Sequence, residues 1–151
     1  MRAVEPVLAT VIIVAITITI AMVIALWISG IIGGFTRIER LDIVSGYISE
    51  TSDSLIVTLI VKNTGTIDVT IERILINNRL INLDKANLMI DNEPSKLPYR
   101  IRIGENITLV FDLLGALEGT GVNVMPGQMI EVRLRTSSGN DYLKLMFLPY
   151  R

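Results

Sequence analysis

The chain has 151 residues with neither cysteine nor histidine, which excludes a disulfide framework, Cys/His metal centres and histidine-based acid–base or triad chemistry. Lys and Arg number 14 against 15 Asp and Glu, a net charge of −1, so the basic surplus that drives nucleic-acid binding by counterion release is missing. Apolar residues make up 50% of the chain, and much of that share is concentrated in one stretch.

That stretch runs from Val7 to Ile32, VLATVIIVAITITIAMVIALWISGII, without a single charge. A helix of this length spans roughly 39 Å at 1.5 Å per residue, more than the ~30 Å hydrocarbon core of a bilayer, and is predicted to cross a membrane. Small and hydroxyl residues interrupt the Ile and Val. Ala15 with Thr19, and Ala21 with Ala25, have the small-xxx-small spacing that lets helices approach closely in an apolar medium. Together with Thr17 they are the expected helix-packing residues. Trp27, near the end of the run, suits a membrane interface or a gap between packed helices. The order at the N-terminus is not that of a secretory signal, because Arg2, Ala3, Glu5 and Pro6 all precede the apolar run.

On these residues RAVEPVLATVIIVAIT resembles the class III signal and N-terminal helix of archaeal type IV pilins, a superfamily that includes the archaellins. The resemblance implies that a prepilin peptidase cuts on the cytoplasmic side of the run. Arg2 would be the charged residue and Ala3 the small residue before the cut, and Val4 would become the N-terminus. It implies a leader over 1–3 and a hydrophobic helix over 4–36, transmembrane before assembly and in the filament core afterwards. The implied partners are copies of the same chain, the membrane before assembly, and an assembly motor and platform. Function would be that of an extracellular pilus subunit, a helical homopolymer whose outer domain mediates adhesion. Two alternatives stay open: a membrane-anchored β-sandwich of the archaellum stator or S-layer periphery, and an archaellin.

Gly30, Gly33 and Gly34 loosen the end of the helix. From Leu41 to Arg151 short β-type runs alternate with turn chemistry, which predicts an antiparallel, immunoglobulin-like β-sandwich over 41–151 and hence an α+β chain. Ser54 to Asn63, SLIVTLIVKN, is apolar on both faces and reads as a strand buried twice. Asn63 to Gly65 turns the chain into a strand over Ile67 to Ile76, and Asn77-Asn78 reads as a type I′ hairpin turn because Asn tolerates positive φ. VKNTGTIDVTIERILINN is similar to a KNxG-plus-hairpin passage of archaeal pilins and archaellins with immunoglobulin-like domains.

Leu83 to Arg100 is broken by Asp84, Asn87, Asp91, Asn92, Pro94 and Pro98 and is expected to be a long loop or an edge excursion. Ile107 to Leu114 is predicted as a strand and Gly115 to Gly121 as a mobile loop. On Met129 to Thr136, Ile130, Val132 and Leu134 face inward while Glu131, Arg133 and Arg135 face water. On the last strand Leu143, Leu145 and Phe147 are expected to point inward.

The carboxylates Asp53, Asp68, Glu72, Asp84, Asp91 and Glu93 lack the spacing of a Ca²⁺ loop, with Asp91-Asn92-Glu93 the best cluster among them. GALEGTG and SSGND lack the spacing of phosphate-binding loops. No catalytic, cofactor-binding or metal-binding residue is expected, and the chain is not read as an enzyme. Asn106-Ile107-Thr108 is a sequon at a strand start, which makes Asn106 a candidate for N-glycosylation.

Overall fold

The computed structural model describes residues 4–35 and 37–150, and the chain divides into two units, Met1–Arg37 and Ile38–Arg151. The first unit is the helix α1, Val4–Phe35. Its β-branched content is unfavourable for a helix in water. In an apolar surrounding the backbone must satisfy its own hydrogen bonds, and a helix does so. Pro6 lies in the first turn, where a missing N–H costs nothing.

The second unit contains, among the described residues, ten strands and one short helix. In chain order these are β1 (Leu41–Thr51), β2 (Ser54–Asn63), β3 (Val69–Ile76), β4 (Arg79–Leu80), β5 (Met89–Ile90), β6 (Glu93–Pro94), β7 (Tyr99–Ile101), β8 (Asn106–Asp112), α2 (Leu113–Leu117), β9 (Met129–Thr136) and β10 (Asp141–Phe147). One antiparallel sheet has the order β1-β2-β8-β5-β6, and the other runs β10-β9-β3-β4 with β7 also paired to β3. The chain is therefore α+β: one long apolar helix followed by antiparallel sheets.

The inner faces of the two sheets share one core. Val57, Leu59 and Val61 from β2 and Ile107, Leu109 and Phe111 from β8 meet Ile71, Ile74 and Ile76 from β3 and Ile130, Val132 and Leu134 from β9. Each such side chain contributes about 1.5–3 kcal/mol on leaving water. Asn77 and Asn78 form the β3–β4 turn with φ of 48° and 65°.

Three expectations are corrected. Met146 on β10 and Leu148 just beyond it are buried, while Leu143, Leu145 and Phe147 are 54%, 56% and 71% exposed. The reason is register: Met146, Lys144 and Tyr142 stand opposite Ile130, Val132 and Leu134 of β9, and directly opposite residues share a face. The second face of β2 is only half covered, with Thr58 buried, Ile56 and Ile60 intermediate and Lys62 exposed. Within 83–100 the edge excursion is the alternative that holds: β5 and β6 form a hairpin at the edge of the first sheet, Met89 opposite Val110. Asp91 and Asn92 supply its turn with positive φ, and Ile90 is buried. Finally, the chain after β8 turns into α2, whose N-cap Asp112 accepts a hydrogen bond from the Leu114 N–H at 3.0 Å. Gly115 packs against the Lys85 carbonyl, where a Cβ would collide.

Candidate assembly surfaces

The helix α1 is the first candidate. Its span Pro6–Ile31 has no buried residue and is long and apolar enough to cross a membrane. Thr17, Ala21, Ala25 and Ser29 follow one another at intervals of four residues, which places them along one slowly winding stripe. Ala15 and Thr19 stand two positions from Thr17, on roughly the opposite side of the helix at about 100° per residue. The five packing residues therefore fall on two stripes. All are exposed.

The hydroxyls of α1 are satisfied by the helix itself. Thr10 donates to the Val7 carbonyl at 2.8 Å, Thr17 to Ile13 at 2.7 Å, Thr19 to Ala15 at 2.8 Å and Ser29 to Ala25 at 2.8 Å. Such back-bonding removes the cost of an unpaired donor in hydrocarbon. Of the processing residues, Arg2 and Ala3 lie outside the described residues, and α1 begins at Val4.

The end of the β unit at which the chain enters is fastened by a residue whose sequence context shows only a turn. Asn63 is fully buried, and its amide group donates to the carbonyls of Ile67 at 2.9 Å and Ile101 at 3.2 Å while its Oδ1 accepts from the Gly65 N–H at 3.0 Å. Beside it, Asp68 is held below the ordinary carboxylate range by Arg100, at 2.6 Å and 3.0 Å from Oδ2, and by the Ile103 N–H at 3.1 Å from Oδ1. Asp42 is likewise lowered, first by the Thr64 hydroxyl at 2.9 Å and also by Arg40. A polar residue after a strand of alternating apolar residues was the available signal for Asn63, but a turn and a buried carboxamide look alike in sequence.

On the outer face of the second sheet, Arg135 contacts Asp141 at 2.7 Å and 2.8 Å, and Arg133 bridges Glu131 at 2.6 Å and Asp141 at 3.4 Å. Arg135 first, and then Arg133, lowers the Asp141 pKa. These groups lie beside the exposed row Leu143, Leu145 and Phe147.

Asn106 is exposed and opens β8 opposite Lys62. Asp91 Oδ1 accepts from the Thr108 N–H at 2.8 Å, and among the described residues no three His, Cys, Asp or Glu side chains converge on a metal position. No protein-family model matches the chain, and no curated protein matches it.

Proposed function

We propose that this chain is a structural subunit of an extracellular filament of the archaeal type IV pilin kind. In this reading α1 lies in the membrane before assembly and in the filament core afterwards, and an immunoglobulin-like β unit forms the adhesive outer surface. The observation that carries the reading is the pairing of an uncharged, strongly apolar span of α1, Pro6–Ile31, exposed throughout, with a β unit whose core is complete without it. A helix apolar on every side needs apolar neighbours on every side, and lipid or other copies of α1 supply them. Moving between the two exchanges one apolar medium for another, so close packing along Thr17, Ala21 and Ala25 stabilises the product while a motor drives insertion. A prepilin peptidase acting after Ala3 releases the subunit for assembly.

A second reading is favoured by the internally bonded hydroxyls of α1. With no hydroxyl donor left to share, the helix is at ease in lipid alone, as in a membrane-anchored β protein that never polymerises.

The test is electron microscopy of material sheared from cells that carry the peptidase and motor, with N-terminal sequencing of the recovered chain. Filaments of subunits beginning at Val4 support the proposal. Monomers that stay in the membrane fraction and begin at Met1 overturn it in favour of the anchored reading.

A further inference from the structure

At the far end of the β unit from Leu41, a cavity of about 200 Å³ opens between the β1–β2 turn and the segments around Leu114, Val124 and Leu148. That volume is below the ~300–1,000 Å³ of typical small-molecule sites and suits a single long side chain. Its lining combines the carboxylates Glu50 and Asp53 with the aliphatic groups Leu55, Leu114, Val124 and Leu148. Carboxylates among aliphatic groups match a side chain with an apolar stem and a cationic head, which is the chemistry of Arg or Lys.

The opposite end of the same unit presents such a group on a stiff turn. Over 102–105 the Arg102 N–H donates to Glu105 Oε2 at 2.6 Å, the Glu105 N–H to the Arg102 carbonyl at 3.1 Å, the Gly104 N–H to the Asn63 carbonyl at 3.0 Å and the Ile103 N–H to Asp68 Oδ1 at 3.1 Å. Asp68 is also engaged by Arg100. The side chains of Arg102 and Ile103 are both exposed, Ile103 at 58%. A cation and an aliphatic group thus stand side by side on a backbone that loses little freedom on binding.

We infer that the acid-lined cavity receives Arg102 of a second copy of this chain, with Ile103 of that copy against the aliphatic lip at Leu114, so that β units associate end to end. The two ends of the β1–β2 hairpin are separated by the length of a ten-residue strand, roughly 33 Å. One chain therefore cannot fill its own cavity. A head-to-tail contact of this type is heterologous, and where its rotation does not close it propagates a filament. The inference deepens the filament reading and rests on it, adding a contact outside α1.

The test uses the full chain, whose lack of cysteine leaves no background. Thr51→Cys, at the cavity rim, and Ile103→Cys are made in separate copies, co-expressed, and treated with a short bismaleimide, while electron microscopy scores filaments. Crosslinked 51–103 dimers are expected. Adding Arg102→Glu should lower their yield about tenfold, and Asp53→Arg in the other copy should restore it, as expected for a contact worth about 1.4 kcal/mol. Filaments without the crosslink overturn the inference and leave the filament reading standing. The crosslink in membranes without filaments does the reverse. Absence of both overturns the two together.

Discussion

Asn63 shows how much a single buried carboxamide can hold. Its three hydrogen bonds tie the end of β2 to the turn at Gly65 and to Ile101 at the end of β7. Asn63→Ala leaves buried backbone groups without partners, at a cost of about 1–3 kcal/mol each, and should lower the urea midpoint at unchanged slope. Asn63→Asp replaces two donated bonds with a negative charge facing carbonyls. It should destabilise more at pH 7 than at pH 3.5, where the new carboxyl can carry a proton. Equal losses at the two pH values would remove this account of the site. The native carboxylates set a separate pH limit. Asp42, Asp68 and Asp141 all have folded pKa values below their ordinary range. Their contribution is complete above the unfolded value of about 3.9 and is lost as pH falls through the lower folded values. With no histidine, urea midpoints should be level from pH 8 to about 5 and fall below about 4.

Among the elements, β9 and β10 separate what alternation reveals from what it conceals. The inward phase of β9 was legible because Ile130, Val132 and Leu134 alternate with charged residues. β10 carries apolar groups in both phases, Leu143, Leu145 and Phe147 against Tyr142 and Met146, so its own pattern could not choose. Pairing with β9 chose for it. Met146→Ala should cost about 2–5 kcal/mol, whereas Leu145→Lys should stay within about 0.5 kcal/mol of the parent, as read by chemical denaturation; the opposite ranking would mean a register slipped by one residue. Short elements were illegible for a different reason. β5 is stabilised by pairing with β8 and β6 by pairing with β5, while α2 packs against β8 and the segment around Lys85 and Ala86, from which the Ala86 carbonyl accepts the Asp112 N–H at 2.7 Å. Sequence periodicity does not record such contacts. The length and apolarity of α1 were plain, but the internal bonding of its hydroxyls was not. Ala21→Leu with Ala25→Leu should preserve membrane insertion, measured by carbonate extraction, while abolishing filaments in sheared fractions. Normal filaments from the double variant would remove this stripe from the packing surface.

At the scale of the whole molecule, the core of the β unit draws every buried residue from Leu41 onward. Residues 38–151 expressed without the helix should therefore unfold in one cooperative transition in urea, with slowly exchanging amides in β2, β8, β3 and β9. A fragment that binds hydrophobic dyes and melts without cooperativity would show that the helix contributes to the fold.

The position of β2 has a consequence for the order in which the chain is made. β2 is central in its sheet, flanked by β1 and β8, yet about forty residues separate its end from the start of β8, a gap of roughly 2–9 s at ~5–20 residues per second of synthesis. During that interval SLIVTLIV has one bare edge and apolar residues in both phases, the composition of a segment that recruits foreign strands. The vulnerability is thus one of timing. Synonymous codons that slow ribosomes between Asn63 and Asn106 should increase the aggregated fraction of a protein whose amino-acid sequence has not changed.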